Sequence, residues 1–286
     1  MNIPIGYIIT IACVLGGYAM HGGDIKAIWQ PFELVIIGGA AVGTLISSNS
    51  TAYIKKLVAA LPIVLKPTSA NKRRALDLLC LMYELLNKIR KDGLMSIESD
   101  IEEPMNSKLF GKYPSIGNDH HLVDFITDYL RMMLSGSLNL IQVETLIERE
   151  LEIHHHEQHI PVVVLQKSAD ALPAFGIVAA VMGVVNTMGS IGIPPAELGK
   201  LIAAALVGTF LGILLSYCFV GPIASVLEQR NEQESKMFEA VKVVLLAHLN
   251  NFPPPVSVEF GRKILFEAQR PSFKELDQEA KAVKGR

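Results

Sequence analysis

The sequence predicts an all-α membrane protein, with four transmembrane helices in two hairpins and a helical cytoplasmic domain between the second and third spans. The strongest sign is that no Asp, Glu, Lys or Arg falls between Asp170 and Glu197, or between Lys200 and Glu228. Each gap exceeds the ~20 apolar residues that cross a hydrocarbon core. Two more uncharged runs stand near the N-terminus. Composition agrees: 50% hydrophobic residues are too many for an ordinary soluble protein, and 19% charged residues are too many for one wholly in lipid.

The chain divides into residues 1–50, 51–170, 171–223 and 224–286. The first span, about 3–21, has no basic n-region and no small-residue cleavage site, so it reads as a retained helix and not as a removed signal peptide. The loop HGGDIKAIWQP follows, with Trp29 placed as an interfacial anchor. The second span, about 34–50, is uncharged between Glu33 and Lys55 and has Gly39 and Gly43 four apart, a spacing that lets helices approach closely in lipid. In 51–170, Leu76, Leu79, Cys80, Tyr83 and Leu86 recur at helical spacing until Asp92-Gly93 ends the pattern. Looser sequence around Pro104, Gly111, Pro114 and Gly117 connects to helical runs over 122–134 and from Asn139 onward. The third and fourth spans, about 172–191 and 201–223, carry small residues in stripes: Gly176, Ala180, Gly183 and Thr187 on one, Ala205, Thr209, Gly212 and Ser216 on the other. Both stripes suit contact with other helices. A helix over 228–250, the break NFPPPV and a basic, mobile tail ending at Arg286 complete the chain.

Charge sets orientation and removes one class of function. Lys55, Lys56, Lys66, Lys72, Arg73 and Arg74 crowd the exit of the second span, whereas the two outer loops hold only Lys26 and Lys200. The positive-inside rule therefore places both termini and the middle region in the cytoplasm. A net charge of -2, with no basic tract interleaved with aromatics, excludes nucleic acid as a partner. Three cysteines, an odd number, imply no disulfide framework.

Chemistry is sparse. His155 and His159 stand four apart, as a zinc pair does, but HHHEQH lacks the HExxH order and reads as a solvated, pH-responsive helix face. There is no GxSxG and no glycine-rich phosphate loop, so no catalytic residue, metal or cofactor is assigned and the chain is not read as an enzyme. The four spans as drawn contain no ionisable group, although a protein that moves ions through lipid usually keeps one there. Any ion-carrying carboxylate must then come from a partner helix, with Thr187 and Thr209 as the lining around it. Taken alone, each hydroxyl is better explained by a bond to the carbonyl one turn back.

LPAFGIVAAVMGVV, ELGKLIAAALVGTFLGILLSY, GPIASVL and VEFGRKILFEAQRPSFKELDQE resemble the flagellar stator proteins of the MotA type, of the longer, proton-driven kind, over nearly the whole chain. The related TolQ and ExbB proteins are the alternative, and a membrane-anchored scaffold or metal enzyme is the rival from outside the superfamily. The resemblance implies an inner-membrane ring of five around a pair of MotB helices, whose aspartate supplies the missing carboxylate, and coupling to protons. It also implies that Arg90 and Glu98 contact the rotor protein FliG, that Pro173 and Pro222 couple ion flow to movement, and that Thr209 lies near the partner's aspartate. HHHEQH departs from the more acidic stretch usual there. Without the resemblance, Arg90 and Glu98 are solvated charges, Pro173 marks the first turn of a span and Pro222 stops a helix.

Overall fold

The computed structural model describes residues 2–66, 68–136, 139–189, 192 and 194–284, and the chain forms two compact units. Among these residues every regular element is helical: α1 (Asn2–Met20), α2 (Ile25–Ile28), α3 (Pro31–Ser48), α4 (Thr51–Leu65) and α5 (Lys72–Asp92) lead the chain. Short helices α6 (Glu98–Glu102), α7 (Lys108–Gly111) and α8 (Pro114–Gly117) follow, then α9 (His120–Leu134) and the 49-residue α10 (Leu140–Met188). Helix α11 (Pro195–Leu214) passes through a π-helical turn, Leu215–Val220, into α12 (Gly221–Leu249), and α13 (Pro254–Ile264) and α14 (Phe273–Lys284) finish the chain. Residues 190 and 191 at the expected end of the third span, and 285–286 of the tail, lie outside the described residues.

One unit comprises 1–67 and 158–229. It carries the membrane-capable stretches Asn2–Met20 and Ile25–Ser48, and the parts of Leu140–Met188 and Pro195–Leu249 that fall within 158–229. Little of it is buried by large side chains: Ile37, Leu172, Ala179 and Leu211 form one small cluster, and Leu57, Val64, Ile160 and Leu227 belong to another. What holds α10 to α11 is the lack of side chains. A methyl group on Gly176 would lie 2.8 Å from the Gly208 carbonyl oxygen, and one on Gly212 would lie 2.7 Å from the Leu172 carbonyl oxygen. The helices meet backbone to backbone, the contact small residues permit in lipid.

The other unit comprises 68–157 and 230–286. It is organised around α5, capped by Asn71, whose side chain accepts from the Arg74 N–H, and ended at Gly93 with φ 86°. The spacing predicts one apolar face; the structure buries α5 on all sides, polar residues included. Each buried charge on α5 has partners from beyond the helix: Arg74 pairs with Asp119, Asp77 accepts from the Ser115 hydroxyl at 2.7 Å, and Glu84 takes Lys112 and, at 2.7 Å, the Tyr113 hydroxyl. Breaking such a pair would strand a buried charge, which is far costlier than losing a surface contact.

The expected mobile tail is instead ordered. Helices α13 and α14 pack on α5, and a methyl on Gly261 would sit 2.5 Å from Val244 and 3.0 Å from the Ala240 carbonyl oxygen. Within α13, Arg262 is clamped by both Glu259 oxygens at 2.6 Å, and it donates at 2.9 Å to the Pro271 carbonyl in the connection to α14. Gln269 donates to the Ala70 and Gln233 carbonyls at 2.8 and 3.0 Å. Ser272 and Glu275 cap α14 reciprocally, the Ser272 N–H reaching the carboxylate and the Glu275 N–H the hydroxyl. The Lys72 ammonium, and after it the Ser272 N–H and hydroxyl, hold the Glu275 carboxyl down at about 2.

Candidate functional site

In the membrane-capable unit, α3 begins at Pro31, three residues before the expected start of the second span, and this brings Glu33 into the helix. Pro at N1 and an acidic residue in the first turn are what a helix N-terminus favours. The side chain is only 9% exposed. Its Oε2 would lie 2.8 Å from a methyl on Gly208, and its Oε1 3.6 Å from one on Gly183. So the expectation that the spans hold no ionisable group is overturned: one carboxyl sits in the seam where α3 meets α10 and α11. An ionised group within a membrane-spanning bundle is costly, and such residues persist there mainly for function.

The two threonines behave differently. Thr187 is buried and its hydroxyl donates to the Gly183 carbonyl at 2.9 Å, the one-turn-back bond that a packing residue makes. Thr209 is half-buried, one residue beyond Gly208.

Both prolines lie inside continuous helix. Pro173 is an interior residue of α10, not the first turn of a span, and it leaves the Ala169 carbonyl without a fourth-residue donor. Pro222 does not stop the fourth span. It follows the π-helical turn by two residues, and α12 runs on through it. A wide turn before a proline spares the clash with the preceding carbonyls. Tyr7 on α1 donates its hydroxyl to the Phe219 carbonyl in that turn, with the rings 4.8 Å apart.

In the second unit, Arg90 and Glu98 are both exposed, on either side of the Gly93 turn. Beneath them the chain is braced: Lys88 pairs with Asp100 at 2.7 Å, Asp100 accepts from the Ser107 hydroxyl at 2.5 Å, and the Ser96 hydroxyl donates to the Gly93 carbonyl at 2.6 Å. Arg90 also borders a pocket of about 420 Å³ that Ile89, Leu94, His248, Phe252 and Pro254 help to line. Burial, and then the Arg90 charge, lower the pKa of His248 in that wall. Sequence reasoning found the two charges and missed the pocket, whose far wall comes from residues 248–254.

The histidine stretch is only partly a solvated face. His155 and His156 are exposed, but His154 packs on Phe238, ring centroids 4.4 Å apart, with His121 at 6.5 Å. Burial and then the His121 charge lower its pKa. Among the described residues no cluster of three or more His, Cys, Asp or Glu could hold a metal ion.

Four apolar helices, a glycine-built helix seam with a carboxyl in it, and a second compact unit bearing exposed charges define a multi-pass helical membrane protein. The comparisons make this specific. Residues 4–93 match the family described as Motility protein A N-terminal, and residues 119–240 match the MotA/TolQ/ExbB proton channel family. The chain is 49% identical to Motility protein A of Escherichia coli over 284 residues, covering 99% of this chain and 96% of that one. It is 37% identical to Chemotaxis protein LafT of Vibrio parahaemolyticus over 274 residues, 96% of each. The chain belongs to the Motility protein A family, within the MotA/TolQ/ExbB proton channels. It is a multi-pass protein of the bacterial inner membrane. Among solved structures, C. jejuni MotAB superposes with a TM-score of 0.78 at 17% identity, covering 95% of this chain and 98% of that one. The MotAB stator complex from Bacillus subtilis gives 0.66 at 23% identity, covering 89% and 91%. Those two likenesses speak to the fold.

Proposed function

We propose that this chain is the ring-forming stator subunit of a flagellar motor, which with a MotB-type partner conducts protons and turns their flow into torque on the rotor. It is a transducer and not an enzyme, as membership in a proton-channel family entails. The observation that carries the reading is the pairing of family membership with spans that are wrapped by exposed apolar side chains, such as Val35, Val185 and Leu206, and closed inside by glycine contacts. Such helices need lipid or other chains on their outer faces.

Within this reading, Thr187 and Thr209 line the path near the partner's aspartate, and Pro173 and Pro222 let their helices bend as the carboxylate loads and unloads. Both lie where a helix lacks a backbone bond, so bending there costs less than elsewhere. Arg90 and Glu98 meet FliG, with five copies of this chain forming the ring and both termini cytoplasmic. In support, both charges are exposed on a braced frame, and the basic cluster from Lys55 to Arg74 follows the second span.

Purification of the complex from cells tests the reading. A single-span partner with a membrane aspartate should copurify in fixed ratio, and a stable, active monomer would refute it. Reversal of charge tests the rotor contact: Arg90→Glu should slow rotation more than Arg90→Ala, because like charges brought together cost more than a missing attraction. A complementary reversal on the rotor should restore part of the loss, with membrane conductance unchanged throughout.

A further inference from the structure

Glu33 is unusual among the charged residues of this chain. It is buried, its Oε2 is without any hydrogen-bond partner among the described residues, and it points into a seam whose glycines leave room for it. Any side chain at 208 would displace the carboxyl. The helix segments packed on it are bare of charge: α10 from 171 to 188 and α11 from 201 to 214 contain no Asp, Glu, Lys, Arg or His. Charged groups elsewhere on the packed elements include Lys167 and Asp170 on α10 before that segment, Asp24 and Lys26 at α2, and Glu197 and Lys200 in the opening turns of α11, all exposed. Lys55 and Lys56 lie on α4, beyond the opposite end of α3.

We infer that Glu33 is a proton-binding site of the transmembrane bundle, separate from any carboxylate a partner brings, and that its loading governs how closely α3 packs on the α10–α11 hairpin. A carboxylate oxygen with no donor in an apolar seam must be answered by a proton or by a cation. Hard metal cations want about six or more oxygen ligands. Here the carboxyl faces Gly208 and Gly183, beside which stand Ala179, Ala180 and Ala205, and none of these has a side-chain oxygen. The ligand is therefore a proton. On loading, a carboxylate oxygen forms an O–H bond with a proton given up by hydronium, whose O–H bond breaks to leave water; on release water takes that proton back. The loaded acid can stay in the seam, whereas the ionised form draws in water or pushes α3 away, so the site ties proton occupancy to helix packing.

Infrared difference spectra of the full complex, recorded between mildly acidic and alkaline pH, test this directly. The unaltered protein should show a protonated-carboxyl stretch, shifted in heavy water, that is lost in Glu33→Gln and returns at a displaced frequency in Glu33→Asp. A band of equal intensity in Glu33→Gln, with the complex still eluting as one assembly, would overturn the inference. The motor consequence rests on the stator reading: Glu33→Gln should flatten the dependence of rotation speed on external pH, and an unchanged profile would refute the link to packing. A Glu33-dependent band in a complex that purifies with no partner subunit would uphold the proton site and count against the stator reading alone.

Discussion

In the second unit Leu78, Leu81, Leu85 and Ile126 vanish from solvent within one chain, whereas in the first Ile8, Val35, Val42, Val185 and Leu206 are each more than half exposed. The second unit has the core of a soluble domain, with large side chains inside and each buried charge on α5 matched to a partner. The first has its smallest residues at the contacts and its largest outside, because in lipid the apolar surface is no penalty and close backbone approach supplies the attraction. The lesson is that the same helical period serves two solvents, and the size of the residue on the inner face tells which.

The contrast breaks most visibly at the glycine seam. Gly212→Leu puts a side chain where even a methyl lies 2.8 Å from the Gly176 Cα, so α10 and α11 must part. We expect no assembled complex and no motility, read by size-exclusion chromatography and swimming. In the second unit the opposite change matters. Leu85→Ala empties a fully buried site and should cost about 2–5 kcal/mol. The expected readout is early thermal unfolding of that unit, detected by limited proteolysis.

How much of this was legible in the sequence follows from where each signal resides. The spans were, because length without charge is a local property, and so were the stripes at Gly176 and Gly212. Glu33 was not, since a charge was taken to end a span; Pro31 just before it, the favoured first position of a helix, was the sign that α3 had already begun. The burial of α5 on every side was hidden because the partners of Asp77 and Glu84 come from Ser115, Lys112 and Tyr113, which no helical period reveals. Pro173 and Pro222 read locally as helix ends, and neighbouring structure overrode that. The tail did carry local signals, Pro254 at a helix start and Ser272 three residues before Glu275, but its basic composition was weighed above them.

Two smaller effects sharpen the comparison. Ser272→Ala removes half of the reciprocal cap of α14 and should cost about 1 kcal/mol, seen as a lower midpoint in thermal denaturation of the second unit. Mild acid should also act on that unit. Burial lowers the pKa of His154 and His248 below the ordinary histidine value, so the unfolded chain binds protons that the folded one refuses. The associated stability is complete above the unfolded value of about 6.5 and declines as pH falls from there toward the lowered folded values. His154→Gln should shrink that decline in a pH series of melting curves.

The central claim is that this chain forms the wall of a proton path whose through-going carboxylate is borne by another subunit, with Glu33 loading a proton beside the path and not carrying it across. Proton flux into sealed vesicles under a membrane potential tests that most directly. Each elementary charge gains about 2.3 kcal/mol per 100 mV, so the drive is ample once a continuous path exists. Vesicles holding this chain with its single-span partner should conduct, and vesicles holding this chain alone should match empty ones. Flux through the chain alone, above that of empty vesicles, would contradict the account.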